Sequence, residues 1–117
     1  MSSKPVSPAM HGIIDYIFSG VLMTAPGTLG LNSTAIRTYR ILGSVFLGTN
    51  ALSDTPAGLR PALSFKTHKK ADAGFLAGLS VLSFAGFIRR GKKARGFHLA
   101  FLALAIAHYL LTDYDNE

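Results

Sequence analysis

GFHLAFLALAIAHYLLT, residues 96–112, runs without a single Asp, Glu, Lys or Arg. At 3.6 residues per turn this is about five turns of helix. The run is too long for an ordinary strand and does not alternate apolar and polar residues with period two, so it reads as a helix. A helix on the surface of a soluble bundle carries a charged outer face along its length. This one has no such face, and it therefore calls for apolar surroundings on every side.

Working outward, three more stretches behave alike: residues 16–36, 41–53 and 73–88 are also free of charged side chains. Only 15% of the chain is charged and 49% is apolar, against about 25% charged in a typical soluble domain. The reading is an all-α chain of one domain, residues 1–117: an integral membrane four-helix bundle of up-down-up-down topology. Three of the four stretches are shorter than the roughly 20 apolar residues of a spanning helix. Flanking Lys, Arg, His and Tyr make up the length, because they sit readily at the bilayer interface. The competing reading is a soluble four-helix bundle that covers the same surface by oligomerising.

Local signals set the helix limits. Ser7-Pro8 supplies a capping hydroxyl followed by proline at the first helical position. The first helix then runs to about Thr24, where Ala25-Pro26-Gly27 is expected to stop it. His11 and Asp15 inside this segment make it a retained helix and not a signal peptide. Asn32-Ser33 caps a second helix that ends at Leu52-Ser53-Asp54, before Pro56 and Gly58. The third starts near Ser64 and ends before Arg89-Arg90-Gly91-Lys92-Lys93, and the fourth runs from about Arg95 to Thr112. Short connections make sequential helices antiparallel. Ser44-x3-Gly48, Gly74-x3-Gly78 and Ala103-x3-Ala107 are small-x3-small patterns that allow close helix approach. Packing inside the bundle is their expected use, with a homodimer as the other.

Helix parity divides the charges. Asp15, Asp54, Asp72, Asp113, Asp115 and Glu117 fall at one end of the bundle with Lys4, Arg60, Lys66, Lys69 and Lys70. The other end carries Arg37, Arg40, Arg89, Arg90, Lys92, Lys93 and Arg95 and no acid. The positive-inside rule then places the Arg89–Arg95 loop in the cytoplasm and both termini outside. A net charge of +6 suits anionic headgroups of the lipid bilayer. Nucleic acid is not an expected partner, since there is no helix-turn-helix, aromatic-interleaved basic helix or zinc-finger spacing. The absence of Cys removes disulfides, thiolate ligands and Cys nucleophiles.

The two halves echo each other. His11-x3-Asp15 opens the first helix and Leu52-Ser53-Asp54 closes the second. His68-x3-Asp72 opens the third and Leu111-Thr112-Asp113 closes the fourth. Matched residue types at nearly equal intervals suggest a duplicated helical hairpin, residues 8–54 and 64–113, related by a pseudo-twofold axis along the membrane normal. His11-Gly-Ile-Ile-Asp15-Tyr16, Gly20, Thr24-Ala25-Pro26 and Leu29-Gly30-Leu31 resemble the first half of SPW-repeat membrane proteins. Ala25-Pro26-Gly27 stands where that family has Ser-Pro-Trp, and the chain has no Trp. The resemblance implies a bacterial membrane protein built from helical hairpins and supplies no activity.

Residues four apart share a helix face, so each His-x3-Asp pair points one way. His11, Asp15, Asp54, His68, Asp72, His108 and Asp113 are the candidate ligands, gathered at one end of the bundle. Imidazole with carboxylate suits a divalent zinc, iron or manganese ion; the same groups also suit a proton relay or helix-end anchoring. Haem between His11 or His68 and His108 ranks below a simple ion. No Ser-His-Asp set, phosphate loop or paired-Glu motif is present. The sequence thus points to a small polytopic membrane protein acting as a binding or structural subunit, alone as a homo-oligomer or in a larger membrane complex. The alternative is metal-ion or proton handling by the His/Asp cluster.

Overall fold

The computed structural model describes residues 4–115, which form five helices. These are α1 (Pro8–Thr28), α2 (Ser33–Ala51), α3 (Phe65–Leu82), the single turn α4 (Gly86–Arg89) and α5 (Lys92–Leu111). Among the described residues there is no strand, only two isolated bridges, Val6 with Thr112 and Ser53 with Leu63.

The caps expected from sequence are in place. Ser7, Asn32 and Ser64 each accept a hydrogen bond from the backbone N–H three residues on, those of Met10, Ala35 and Thr67. Such caps are each worth about 1 kcal/mol. Pro26 does not stop α1 but lies inside its last turn. A proline there costs the one intrahelical bond to the carbonyl four residues back, and only Gly27 and Thr28 of the helix follow it. Closure comes later: Leu31 N–H bonds to Pro26 O at 3.0 Å, and Gly30 takes the left-handed conformation with φ 71°. The third helix ends at Leu82, and the expected remainder becomes the separate turn α4.

The four long helices run alternately up and down. The first turns of α1 and α3 meet the last turns of α2 and α5, through His11 with Thr112 and His68 with Ser53. At the opposite end Tyr39 on α2 bonds to His98 on α5, whose Nε2 donates to Leu79 O near the end of α3. Between these ends lies an apolar core built on Leu22, Ala35, Tyr39, Leu79, Phe101 and Ala105.

Helix contact is closest at Gly43. A Cβ there would stand 2.8 Å from Met23 Cγ and 3.1 Å from Ser19 O. The small-x3-small patterns lie elsewhere. Ser44, Gly48, Gly74, Gly78, Ala103 and Ala107 are all exposed, and a Cβ on Gly48, Gly74 or Gly78 would meet nothing within 4 Å. Their expected role inside the bundle is therefore corrected: the turn of each helix that faces its neighbours is a different one.

By length and composition, one helix among the described residues, Lys92–Leu111, is apolar enough to cross a membrane. Four had been expected. His11 and Asp15 on α1, Arg37 and Arg40 on α2, and Lys66, Lys69, Lys70 and Asp72 on α3 lower the apolar character of the other three.

Contacts recur between the halves. Val6 N–H bonds to Leu111 O and Val6 O accepts from Asp113 N–H; Leu63 N–H bonds to Leu52 O and Leu63 O accepts from Asp54 N–H. Ser7 and Ser64 cap alike, and Leu22 and Leu79 occupy corresponding buried positions. Two residues at matching places in the halves, Tyr39 and His98, touch each other directly.

Candidate metal centre

The Ser7 and Ser64 caps start α1 and α3 four residues before a histidine, and the first backbone bonds, His11 N to Ser7 O and His68 N to Ser64 O, are 2.8 and 2.9 Å. One turn further on each helix carries its aspartate on the same face. All four side chains are buried, and one ligand atom from each converges on a single point.

The distances define that point. His11 Nε2 lies 3.0 Å from Asp15 Oδ2 and 3.0 Å from Asp72 Oδ2. His68 Nε2 lies 2.9 Å from Asp15 Oδ2 and 3.3 Å from Asp72 Oδ2. The two Nε2 atoms are 3.2 Å apart. Five of the six edges of a tetrahedron thus fall between 2.9 and 3.3 Å. A regular tetrahedron with edges of about this length has its centre about 1.9 Å from each corner, close to the 2.0–2.2 Å of Zn–N and Zn–O bonds.

The surroundings fix the histidine tautomers. His68 Nδ1 is 2.5 Å from Ser53 Oγ, and His11 Nδ1 is 2.6 Å from Thr112 Oγ1. Each hydroxyl donates its only proton to the carbonyl four residues back, Thr49 O at 2.6 Å and His108 O at 2.6 Å. The hydroxyl must then accept from the imidazole, so Nδ1 carries hydrogen in both rings. With Nδ1–H occupied outward, each neutral ring turns its Nε2 lone pair to the centre. A ligating histidine is usually oriented in this way by a partner on its far nitrogen.

Outside the four, His108 Nε2–H donates to Asp15 Oδ1 at 2.9 Å, and its ring stacks on His11 with centroids 4.0 Å apart. Tyr114 donates to Asp72 Oδ2 at 2.7 Å. Burial first, and then the Asp72 carboxylate, push the Tyr114 phenol well above its ordinary pKa, so it stays a donor. Asp72 Oδ1 is buried with no hydrogen-bond partner among the described residues.

Of the seven candidate ligands, His11, Asp15, His68 and Asp72 form the cluster and His108 supports it. Asp113 is buried, but its interaction with Val6 is through the backbone and it takes no part in the ligand set. Asp54 is exposed and stands outside the cluster. The bridge of Ser53 with Leu63 turns Ser53 inward, and the next residue of an extended segment points the other way. Ser53, Thr112 and Tyr114 are the functional residues that the sequence reading missed. Ser53 and Thr112 were visible as hydroxyls at matching places in the two halves. Of the two pairs considered for haem, His11 and His108 are stacked face to face with centroids 4.0 Å apart, which leaves no room for a porphyrin between them.

Comparison with protein-family models, curated proteins and solved structures finds no match to this chain.

Proposed function

We propose that this is a metal-binding protein of the bacterial inner membrane, holding one divalent first-row transition ion between His11, Asp15, His68 and Asp72. The observation that carries the reading is the pair of Nε2 atoms facing each other at 3.2 Å while both Nδ1 atoms are committed to hydroxyls. Without a cation, Nε2–H bonds to both carboxylates require two imidazolium rings aimed at one point. A single divalent ion replaces both protons, satisfies both lone pairs and neutralises both carboxylates. A neutral centre also limits the cost of burying charge. Imidazole with carboxylate selects zinc, iron or manganese over magnesium or calcium.

The membrane reading draws support from an inverted distribution of polarity. His11, Asp15, Asn50, His68, Asp72 and His98 are buried, while Ile13, Ile17, Ile41, Val45, Leu104 and Leu110 are exposed. Ionisable groups in membranes turn to the bundle interior in this way. The long helices have 18–21 residues, or about 27–32 Å at 1.5 Å per residue, the thickness of a hydrocarbon core. Both termini lie outside and the Arg89–Arg95 loop inside. The recurring contacts of residues 8–54 and 64–113 support a duplicated hairpin, and the exposed small-residue stripes suit a further copy or a partner helix.

Elemental analysis of protein purified without chelator tests the metal reading. One equivalent of a transition ion is expected, lost in His11→Ala, His68→Ala and Asp72→Asn. A protein that binds none after titration with zinc, iron(II) and manganese(II) overturns it and leaves a proton-holding cluster. Labelling a cysteine introduced in the Arg89–Arg95 loop tests topology: reaction with an impermeant reagent from outside intact cells contradicts it.

A further inference from the structure

Beside the tetrahedron lies a cavity of about 20 Å³. His11, Asp72, His108, Tyr109 and Tyr114 bring polar groups to its wall, and Phe18, Phe46 and Phe75 stand among its apolar side. Two of the four ligands, one from each half, therefore border a space, whereas Asp15 and His68 do not. Asp72, one of the lining residues, also carries the one carboxylate oxygen of the cluster that lacks a partner, Oδ1. Asp15, by contrast, has Oδ1 bound to His108 and Oδ2 at the centre. A space needs roughly 10–15 Å³ to hold a water, and a water needs polar partners. This cavity has the room for one, and a residue of its wall carries an unmet acceptor.

Resting on the metal reading, we propose that the ion keeps an additional coordination position open to this cavity, where it binds one water that exchanges for a neutral diatomic molecule. The water donates to Asp72 Oδ1 and so satisfies the orphaned oxygen. Zinc and its neighbours expand from four to five ligands readily. The aromatic walls choose the class of exogenous ligand. An anion would lose its hydration against Phe18, Phe46 and Phe75, with no cationic side chain in the wall to compensate. A small neutral molecule such as nitric oxide, carbon monoxide or dioxygen loses little. The step is ligand exchange: one metal–water bond breaks and one metal–diatomic bond forms.

The test loads the full-length protein with iron(II) without oxygen, adds nitric oxide and records the electron paramagnetic resonance signal of the iron–nitrosyl. Wild type is expected to give the signal. Ala105 and Leu76 line the cavity and are not ligands, so Ala105→Leu and Leu76→Phe fill it from two helices. Each filled variant is expected to keep its iron, by elemental analysis, and to lose the signal. Iron-loaded wild type without a signal overturns the open position, as does an undiminished signal in a filled variant that retains iron. Failure of wild type to take up any metal overturns the metal reading itself, and this inference with it. Should one variant not fold, as judged by circular dichroism, the other decides.

Discussion

His11 and His68 meet Nε2 to Nε2 at 3.2 Å, and each ring is held from behind by a hydroxyl. The hydroxyls are exchanged between halves in a regular way: α1 leans on Thr112 after α5, and α3 leans on Ser53 after α2. The centre is thus a joint property of four helix ends.

Removing either hydroxyl frees an imidazole to rotate and to change tautomer. Ser53→Ala and Thr112→Val are each expected to weaken metal binding by about 10–100-fold, measured by competition with a chromophoric chelator. The two losses should be similar, because the two hydroxyls hold equivalent bonds. Asp54→Asn, at an exposed position, should bind as wild type does. Unchanged affinity in both hydroxyl variants contradicts the assigned tautomers.

A metal that binds only the folded state stabilises it by about 2.7 kcal/mol when present at 100 times its dissociation constant. Thermal unfolding in detergent should therefore shift upward with zinc and back with chelator. Asp15→Asn is expected to abolish the shift, since Asp15 Oδ2 stands 2.9 Å from His68 Nε2 and 3.0 Å from His11 Nε2 at the centre, and its Oδ1 accepts from His108. Asp115→Asn, at an exposed position, should retain it.

Much of this arrangement was legible in the chain. Ser7 and Ser64 announced the helix starts, and the two His-x3-Asp pairs announced a shared face. What sequence did not separate was inward from outward at the helix ends. Leu52-Ser53-Asp54 and Leu111-Thr112-Asp113 drew attention to their carboxylates, yet the side chains that reach the histidines are Ser53 and Thr112. Which residue turns inward depends on the extended segments around Val6 and Leu63, which are paired through tertiary contact. The glycine patterns misled for a related reason. A spacing of four defines a stripe on a helix but not the direction it faces, and the direction came from Gly43 against Met23 and Ser19. Pro26 was read as a stop because local preference carries no information on how many turns remain.

Gly43 offers a packing test. In Gly43→Ala the new methyl would press on Met23 and on the Ser19 backbone, and overpacking of this kind costs about 1–3 kcal/mol. Gly58→Ala should be worse, because its Cβ would collide with the backbone oxygen of Ser53 and displace the segment that presents the Ser53 hydroxyl. Chemical denaturation should rank them in that order, and Gly58→Ala alone should also weaken metal binding.

Tyr39→Phe probes the opposite end. It leaves His98 Nδ1 buried without the donor now 2.6 Å away, at a cost of about 1–3 kcal/mol. Metal content should not change. A variant that loses metal with no loss of stability would show that the two ends communicate.

The pairing of Val6 with Leu111 and Asp113 has a practical consequence for anyone who isolates the protein. Both extremities of the described chain lie within a few residues of the centre, so an oligohistidine handle fused at either one delivers a cluster of spare imidazoles to its doorstep. Such a handle can compete for the ion or mimic its uptake. Metal content is therefore best measured after the handle has been cut away, or on protein captured through an insertion between α4 and α5, at the far end of the bundle.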